Sequence, residues 1–521
     1  MDNNYDFSIG WFSNLKSKMT MHKKLLFKLQ GNILLKVLIL GAGISGQSCV
    51  RWLNKFNCSV HIIDSRKLNL PNVEWCYDSF ETEVNFDNYC DVVEKFDMVV
   101  VSPGLSPYEG KKNNFYLIHQ RAIRKDVPIL TELDLFFLAL EMQRKNDEKI
   151  LAVTGTNGKT SVVSMLGSLL TKLGYDIQIA GNIGISLLQA YLKREKDKKL
   201  PEIWVIELSS FQLALTNYFR SDGSVILNFS EDHLDWHFSK EEYLKSKLKI
   251  FGYPLVQSTP IINSDEISLR DKISTHYKKN NKKKFKEAIH FGLDQKISFG
   301  VYSKETINDQ EFLSTHDIER KQIPILRLSE IEDIGVQNHI NVLGCFSMAS
   351  LVLKNLEELR FVSHVFKIPK HRLQKFFEFE NLEFLDDSKS TNVEATIFAL
   401  NSMLDPIYLI LGGDLKGQKI DQLVTSLKGR DVCTFVYGKD RDVFEMAFRK
   451  KAIQCLKVKN IEQAVKLIKA KIASRSVRLT RKQKILLSPA CASTDMFTNY
   501  AHRGESFKKA VFKTFGEDQH V

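Results

Sequence analysis

The sequence predicts an α/β protein of several domains in which parallel strands alternate with helices. Its 521 residues are more than a single hydrophobic core usually contains, so about three to four compact units are expected. Short apolar runs of strand type recur along the chain, and segments in which apolar residues have helical spacing follow them. Residues 149–174 contain a strand, a glycine-rich turn and a helix in direct succession.

The composition is that of a globular protein, with 43% hydrophobic and 26% charged residues. The formal net charge of +12 suits an anionic partner, and phosphorylated small molecules qualify as well as nucleic acid does. No apolar run approaches the ~20 residues that cross a bilayer, so no membrane insertion is predicted. The eight cysteines show no C-x-x-C pair, which favours reduced thiols in a cytoplasmic protein.

The first compact region carries a nucleotide-binding pattern. After residues 1–30, which are polar and basic and predict a loose tail without a signal peptide, a strand over residues 34–40 leads into a glycine turn at residues 41–46. A helix and a second strand follow, and this strand ends at Asp64. A glycine turn and an acid about 20 residues later can hold a pyrophosphate and a ribose hydroxyl. A purely structural βα turn is the alternative.

The stretch from Thr154 to Thr160, TGTNGKT, predicts a phosphate cradle. Backbone N–H groups of such a loop and the positive end of the following helix attract phosphate oxygens. Lys159 adds a mobile positive charge, and the Thr160 hydroxyl can bind Mg²⁺. Val153 stands where the usual pattern has glycine, so the cradle is a variant, and an ordinary strand–helix turn is the alternative. The bound species expected here is a nucleoside triphosphate.

Three further features of the middle region suggest a metal site. Glu207 is the single acid of an apolar strand over residues 203–208, and a buried carboxylate requires a compensating cation, for which Mg²⁺ is the simplest candidate. Residues 231–235, which include His233, can hold Mg²⁺ or position a nucleophile, or can form a polar turn that caps the next helix. Lys247, taken alone, is predicted to be a surface lysine.

The remainder of the chain predicts an irregular insertion and a third parallel sheet. Residues 278–330 look irregular and basic. Asn338 and Asn341 share one face at the start of a helix, where they can contact a base edge or cap the helix. From residue 369 onward, strands alternate with helices again, and three strands end in segments rich in Lys, Ser and Thr. Such segments at the carboxyl ends of strands favour an anionic small molecule as ligand.

A dozen motifs in this order resemble the Mur ligase family: GAGISG, VSPG, TGTNGKT, GNIG, ELSSFQL, SEDHLD, KSKLKIF, QNHIN, HR, DDSKSTN, LGGDLK and SPACASTDMF. The resemblance covers about residues 34–510. It implies an α/β fold with three domains after a tail at 1–30: a Rossmann-like, UDP-substrate-binding N-terminal domain (31–140), a central P-loop ATPase domain (141–368) and a Rossmann-like, amino-acid-binding C-terminal domain (369–521).

The resemblance also implies an activity. It implies an ATP-dependent amide ligase of peptidoglycan precursor synthesis, which adds D-glutamate to UDP-N-acetylmuramoyl-L-alanine through an acyl phosphate. The implied protein is a cytoplasmic monomer that uses two Mg²⁺ ions and has no nucleic-acid partner. Three alternatives stay open: a sister ligase for another amino acid or for folate, a nicotinamide-dependent oxidoreductase, and a nucleic-acid-binding ATPase.

The resemblance assigns roles to residues of this chain. The residues implied at the UDP end of the substrate are Ile44, Ser45, Asp64, Ser65, Arg66 and Gly104, with Asn182 at the muramoyl portion. Those implied for ATP are Gly155, Thr156, Asn157, Gly158, Lys159, Thr160, Ser161, Asn338, Asn341, Arg372, Asp387 and Lys389.

The residues implied to bind the metal are Thr160, Glu207, His233 and Lys247, the last as a carbamate. Those implied to hold D-glutamate are Thr391, Lys416, Ser493 and Tyr500. Catalytic roles are implied for Lys159, Glu207, His233 and Lys247. The chain departs from the family pattern at Thr494, where an aliphatic residue is expected, at Asp386, where asparagine is usual, and at Trp236-His237.

Overall fold

Three β-sheets and the helices packed on them make up the described part of the protein. The structure is a computed structural model that describes residues 15–64, 74–75, 86–111, 115–143, 147–293, 295, 300–317, 319–330, 336–362, 370–403, 406–474 and 482–516. The first two sheets belong to one compact unit. The third belongs to a second unit, which comprises Ser230–His233, Ile331–His339 and Lys367–Val521. The predicted α/β class is confirmed, whereas the residue bounds of the predicted domains stay predictions.

The first sheet has five parallel strands in the spatial order β3-β2-β1-β4-β5. The strands are Leu35–Leu40 (β1), Cys58–Ile63 (β2), Glu74–Trp75 (β3), Met98–Val101 (β4) and Ile129–Leu130 (β5), and the helices after the N-terminal one are Ile44–Leu53 (α2), Tyr116–Arg124 (α3) and Glu132–Met142 (α4), with a 3-10 helix at Phe86–Lys95. The chain adds β2 and β3 on one side of β1 and then crosses to add β4 and β5 on the other side, so the strand order has a switch point between β1 and β4. Ligands bind at such a switch point in open α/β sheets.

A helix over Leu15–Gln30 (α1) corrects the prediction of a loose tail for residues 15–30. Leu25 and Leu29 are buried in the same core as Trp52 of α2. The His22 ring stacks on Tyr218 with 4.1 Å between centroids. The buried positions 22, 25 and 29 are spaced for one helical face. The intervening lysines concealed this stripe in the sequence.

The second sheet has nine strands in the order β14-β13-β12-β11-β10-β9-β6-β8-β7. Its strands are Lys149–Thr154 (β6), Ile177–Gly181 (β7), Ile203–Glu207 (β8), Gly223–Ile226 (β9), Thr259–Asn263 (β10), Ile289–Phe291 (β11), Val301–Ile307 (β12), Gln310–His316 (β13) and Gln322–Arg327 (β14). Its helices are Lys159–Lys172 (α5), Leu187–Lys196 (α6), Ser210–Ala214 (α7), Lys240–Leu248 (α8), Ile267–Asn280 (α9), Lys282–Phe285 (α10), Val336–Ala349 (α11) and Glu358–Val362 (α12), with 3-10 turns at Lys249–Phe251 and Leu328–Glu330. Strands β6 to β12 pair in parallel, so the loops after them reach one edge of the sheet.

The prediction that residues 278–330 are irregular is wrong for much of that stretch. Strands β12, β13 and β14 form an antiparallel extension of the sheet. Their outer positions carry charged side chains, and Lys304 pairs with Glu311 across β12 and β13 at 2.8 Å. Inner positions such as Tyr302 and Leu313 are buried. Charged residues on edge strands hid the alternation of polar and apolar positions.

The third sheet, in the second unit, has the order β15-β16-β20-β17-β18-β19. Its strands are Gln374–Phe379 (β15), Leu382–Asp386 (β16), Ile407–Gly412 (β17), Val432–Tyr437 (β18), Cys455–Lys457 (β19) and Gln483–Leu487 (β20), and its helices are Val393–Asn401 (α13), Asp421–Leu427 (α14), Arg441–Arg449 (α15), Ile461–Ala473 (α16) and Tyr500–Phe515 (α17). Only β15 pairs antiparallel. The carboxyl ends of β16, β17 and β20 therefore lie together. Among the described residues, no helix is long and apolar enough to cross a membrane.

We expect Leu29→Ala to destabilise the first unit, because Leu29 is fully packed against the core while its neighbours on the outer face are exposed. Loss of a buried leucine side chain costs about 2–5 kcal/mol. Phe27→Ala is the matched control, since Phe27 is 72% exposed and its loss is expected to cost within about 0.5 kcal/mol. Denaturant unfolding of the full chain measures both. Equal effects of the two substitutions would contradict the docking of α1.

Candidate active site

The phosphate loop between β6 and α5 is held by a neighbouring strand. The Asn157 N–H donates to Asn228 Oδ1 at 2.8 Å, and the Thr156 N–H donates to Asn228 O at 3.2 Å. Gly158 has φ +84°, and a Cβ there would lie 2.6 Å from Asn341 Oδ1, so the position requires glycine. Asn228, which follows β9 after Leu227, was not singled out from the sequence. The signal that could have identified Asn228 was its position after the parallel strand that neighbours β6.

Lys159, the first residue of α5, folds back onto its own loop. Its Nζ donates to Gly155 O at 2.7 Å and to Thr156 O at 2.8 Å. The ammonium group therefore lies at the loop whose amides define the predicted cradle. The Ser161 hydroxyl is buried and has no hydrogen-bond partner within the described part of the chain. An unsatisfied hydroxyl at this position fits a phosphate oxygen as its missing acceptor.

Glu207 lies at the carboxyl end of β8 and is 1% exposed. Its Oε2 accepts a hydrogen bond from Thr160 Oγ1 at 3.0 Å, and its Oε1 accepts one from Asn182 Nδ2 at 2.9 Å. Strands β6, β7 and β8 pair in parallel, with Val153 and Gly181 opposite Glu207. Two predicted residues, Thr160 in the first turn of α5 and Asn182 after β7, thus meet at the buried carboxylate of a third, Glu207.

Lys247 of α8 is buried, with 1% of its surface exposed, which corrects its prediction as a surface lysine. Its Nζ donates to Gly155 O at 2.9 Å, lies 3.5 Å from Thr154 Oγ1 and sits 4.6 Å from the centroid of the Tyr243 ring. The Tyr243 hydroxyl is 3.3 Å from Thr156 Oγ1. Tyr243 thus joins the site from the same helix, although nothing in its residue type or spacing distinguishes it in the sequence.

Asn341 is buried and, as the Gly158 geometry shows, packs against the phosphate loop. The helix α11 includes position 338, but the side chain of Asn338 lies outside the described part. The first unit therefore brings together Lys159, Thr160, Asn182, Glu207, Lys247 and Asn341. Their roles toward a nucleotide stay predictions.

The predicted UDP residues surround the glycine turn after β1. Asp64 Oδ2 accepts a hydrogen bond from the Ala42 N–H at 2.6 Å, so this acid holds the turn itself. Ile44 is 67% exposed, and Gly104 is exposed as well. The Ser45 side chain hydrogen-bonds Glu132, whose pKa is raised by burial. Ser65 and Arg66 lie outside the described residues.

His233 and the predicted nucleotide residues of the C-terminal region belong to the second unit. His233 has φ +56°, and its N–H donates to Asp232 Oδ1 at 2.8 Å. Within the described residues, no group of three or more His, Cys, Asp or Glu is suited to hold a metal ion.

The loop after β16 holds a buried carboxylate. Asp387 Oδ2 accepts hydrogen bonds from the hydroxyls of Ser390 at 2.6 Å and Ser488 at 2.8 Å, and Oδ1 accepts one from the Leu373 N–H at 3.2 Å. Burial raises the pKa of Asp387 to about 6, while the two serine hydrogen bonds and the nearby charge of Arg372 lower it.

Of the predicted amino-acid residues, Tyr500 begins helix α17, and the others lie on the loops after β16, β17 and β20. Lys389 Nζ is 3.7 Å from the centroid of the Tyr500 ring. The Thr391 N–H donates to Lys389 O at 2.9 Å, and the Lys416 N–H donates to Asp414 Oδ1 at 2.8 Å. The loops that carry Lys416 and Ser493 are adjacent, since Asp414 and Ala492 exchange backbone hydrogen bonds.

Arg503 connects two of these loops and was missed in the sequence. It is fully buried, and its guanidinium donates to Ser388 Oγ at 3.0 Å, Ser388 O at 2.8 Å and Cys491 O at 3.0 Å. Arg503 lies on the same stripe of α17 as the buried Phe507 and Val511. An arginine on an apolar helical stripe was the signal that could have identified it.

The raised pKa of Asp387 predicts a pH dependence of stability. An aspartate of the unfolded chain titrates near about 3.9, so between about pH 4 and the folded value of about 6 the folded protein binds this proton more tightly. The contribution of Asp387 to the free energy of unfolding therefore falls as the pH rises through this window, by up to about 3 kcal/mol. We expect Asp387→Asn to lose this slope of the free energy of unfolding against pH, which denaturant unfolding at a series of pH values measures. Asp421→Asn, at an exposed position, should keep it, and identical slopes for both variants would contradict the assignment.

Two family models match the chain. The Mur ligase middle domain matches residues 153–349, and the Mur ligase MurD-like, N-terminal domain matches residues 35–116. Curated relatives align over almost their entire length. The UDP-N-acetylmuramoylalanine--D-glutamate ligase of Nitrosomonas europaea is 33% identical over 482 residues, which cover 91% of this chain and 96% of the relative. The ligase of the same name from Paraburkholderia phymatum is 30% identical over 501 residues, which cover 91% and 95%.

Solved Mur ligase structures share the fold. MurF from Acinetobacter baumannii aligns with a TM-score of 0.55 and 16% identity, covering 87% of this chain and 93% of that one. The UDP-N-acetylmuramate-alanine ligase MurC from Thermotoga maritima aligns with a TM-score of 0.51 and 15% identity, covering 92% and 99%. These neighbours confirm the three-domain α/β architecture. The relatives at 30–33% identity over 91% of the chain establish that the protein belongs to the Mur ligase family.

Proposed function

We propose that this protein is the ATP-dependent ligase that joins D-glutamate to UDP-N-acetylmuramoyl-L-alanine in peptidoglycan precursor synthesis. The names of its curated relatives support this substrate pair. The observation that carries the proposal is the cluster at the phosphate loop, where Lys159, Thr160 and the buried Glu207 lie together. Such a cluster combines a positive charge with hard oxygen ligands, which is what a nucleoside triphosphate with Mg²⁺ requires.

The chemistry explains why ATP is needed. A carboxylate is a poor electrophile, and its oxygen must be converted to a better leaving group before an amine can displace it. In the proposed reaction, the L-alanyl carboxylate oxygen forms a bond to the γ-phosphorus while the bond to the β,γ-bridging oxygen breaks and ADP leaves. The D-glutamate amine then attacks the acyl carbon, inorganic phosphate departs, and the nitrogen loses a proton. The product is an amide.

Electrostatics determines which residues matter in the first step. The carboxylate and the phosphates are all negative, and two unit charges about 4 Å apart repel by about 4 kcal/mol at an intermediate dielectric. Lys159 offers a positive charge at the loop, and the amides of Gly155 to Gly158 add partial positive charges. The mobile lysine can exchange its loop carbonyls for phosphate oxygens. Much of the rate enhancement would come from positioning.

The residues at the loop fit Mg²⁺. Thr160 Oγ1 and a Glu207 oxygen lie 3.0 Å apart and are hard oxygen donors. Mg²⁺ commonly takes one or two protein ligands and completes its shell with water and phosphate oxygens, which agrees with the lack of a dedicated acidic cluster in the described residues. When bound, Mg²⁺ would neutralise phosphate charge. A Thermotoga maritima MurF structure was obtained in complex with ADP, which supports a nucleotide at the same fold.

We propose that Lys247 is carbamylated, because its ammonium group would share an acceptor with that of Lys159. Lys247 Nζ and Lys159 Nζ donate to the same carbonyl, Gly155 O, at 2.9 Å and 2.7 Å. Two cations that share one acceptor repel each other. A carbamate on Lys247 would replace this repulsion with attraction to Lys159 and would add oxygen ligands at the phosphate loop.

The remaining roles follow the predicted assignments. The glycine turn after β1 would hold the UDP end of the substrate. In the C-terminal region, Lys389 would contact the nucleotide together with Arg372 and Asp387. Lys416 would offer a positive charge to a carboxylate of D-glutamate, which Thr391, Ser493 and Tyr500 would also contact. None of the seven cysteines in the described part forms a disulfide, which is consistent with a cytoplasmic protein. We propose a monomer.

Phosphate release from ATP tests the function directly. With UDP-N-acetylmuramoyl-L-alanine present, D-glutamate should support turnover, while L-glutamate, L-alanine and a diamino acid should not. Preference for one of the other amino acids would indicate a sister ligase. Nicotinamide reduction in place of phosphate release, or hydrolysis stimulated by polynucleotide, would overturn the proposal in favour of the other two classes.

We expect Lys159→Ala to lower kcat by at least about a hundredfold, because it removes the charge that offsets phosphate repulsion. Lys172→Ala, at the exposed end of the same helix, is the matched control and should stay within about twofold of the wild type. Steady-state phosphate release measures both, and thermal unfolding verifies that both variants are folded. Wild-type kcat in Lys159→Ala would remove the basis of the proposed role.

For Lys247, we expect an alanine variant whose lost activity is partly restored by a short carboxylic acid such as formate, which can supply the missing oxygen ligands. Lys247→Arg keeps the positive charge but cannot form a carbamate, so it should be as inactive as the alanine variant. Lys245→Ala, on the exposed face of α8, should behave like the wild type. Full activity of Lys247→Arg would rule out the carbamate.

A further inference from the structure

The backbone on both sides of Arg372 is held in an unusual conformation. His371 has φ +66° and Leu373 has φ +44°, values in the left-handed region that residues with large side chains seldom adopt. Two such residues within three positions persist only where surrounding contacts maintain them. Those contacts therefore fix the position of the backbone that carries the Arg372 side chain.

The contacts that maintain this segment come from the loop after β16. The His371 ring donates from Nδ1 to Asp386 Oδ2 at 2.7 Å, and His371 O accepts a hydrogen bond from the Lys389 N–H at 3.0 Å. On the other side, the Leu373 N–H donates to Asp387 Oδ1 at 3.2 Å. Arg372 is thus bracketed by two residues that are each fastened to the segment carrying Asp387 and Lys389.

Helix α17 is shaped to accommodate the His371–Asp386 pair. A Cβ on Gly504 would lie 2.3 Å from His371 Nδ1 and 2.9 Å from Asp386 Oδ2, so only glycine leaves space for the pair. One turn further along the same face, Lys508 Nζ is 3.4 Å from Asp386 Oδ2. Asp386 is completely buried, and a buried carboxylate is tolerated when hydrogen bonds and a counter-charge compensate it.

We propose that His371 and Asp386 are positioning residues that fix the backbone from which Arg372 acts, with Lys508 as the counter-charge of Asp386. The inference rests on the proposed function, in which Arg372 contacts the nucleotide. It adds to that function a pair of residues that do not contact the substrates themselves. Their effect on catalysis passes through the conformation of a single arginine.

A double-mutant cycle on the full chain tests the proposal. The variants are His371→Ala, Arg372→Ala and the double variant, and the measured quantity is kcat/KM for ATP in phosphate release. We expect His371→Ala to lower kcat/KM by about tenfold to a hundredfold, as small displacements of a binding group do. When Arg372 is already alanine, the same change should cost less than about twofold, because the positioned group is gone. Equal losses in both backgrounds would overturn the proposal.

Further variants separate positioning from general damage to the fold. His371→Asn should retain more activity than His371→Ala, because asparagine tolerates the left-handed conformation and can donate to Asp386. Lys509→Ala, an exposed lysine beside Lys508, is the matched control and should remain within about twofold of the wild type. If His371→Ala does not fold, as judged by thermal unfolding, the cycle is run with Asp386→Ala in its place, which removes the acceptor of the His371 ring, with the same expected pattern. A His371→Asn variant as impaired as His371→Ala would count against the backbone role.

Nucleotide binding distinguishes failure of this inference from failure of the proposed function. The cycle is repeated with the Kd for ATP, measured by calorimetry in the absence of the other substrates. Coupled effects of His371 and Arg372 on Kd support positioning even where ligation with D-glutamate is not observed. Independent effects on Kd in an enzyme that does ligate D-glutamate overturn the inference and leave the function standing.

Discussion

The buried carboxylate of Glu207, at the carboxyl edge of the second sheet, constrains the structure of the first unit. An ionised group removed from water costs several kcal/mol unless partners compensate it, and Glu207 has a partner on each oxygen, Thr160 and Asn182. Thr160 lies in the first turn of α5, which follows β6, and Asn182 lies directly after β7. They meet only because the three strands run parallel and in the observed register. The parallel topology is therefore a condition of the site, and the loops around it depend on the sheet beneath them.

The phosphate loop depends on side chains as much as on glycine. Its sequence has Val153 at a position where the usual cradle has glycine, and the observed loop is fastened by Asn228 and Tyr243. Lys247 adds a third attachment through Gly155 O. Each attachment comes from an element other than β6 and α5. A loop held from outside can keep its amides oriented without the most permissive glycine pattern, since the neighbouring strand and helix limit its freedom.

Elements of the fold were predictable from the sequence where a single physical signal, such as a continuous apolar run, dominated the segment. Elements without such a signal were not predictable. Buried parallel strands are continuous apolar runs, so β1, β6, β8, β16, β17 and β20 were identified, and the glycine loop placed the candidate site. Helix α1 and strands β12 to β14 were missed because lysines and glutamates on their outer faces hid the periodicity. The burial of Lys247 and Arg503 could not be read from residue type, because charged side chains are buried only where tertiary partners exist. Ser65, Arg66 and the Asn338 side chain lie outside the described residues.

The polar core of the second unit is better explained by geometry than by stability. Buried ion pairs contribute little net stability compared with well-packed apolar residues, yet Asp386, Asp387 and Arg503 are all buried near the carboxyl ends of β16 and β20. Asparagine is expected at position 386, and the carboxylate found there faces Lys508, so the two charges compensate each other. Networks of this kind fix a single arrangement of the groups that they join. These networks are concentrated at one edge of the sheet, and they maintain the left-handed residues on both sides of Arg372. The most tightly fixed geometry of the second unit therefore lies where a ligand would bind.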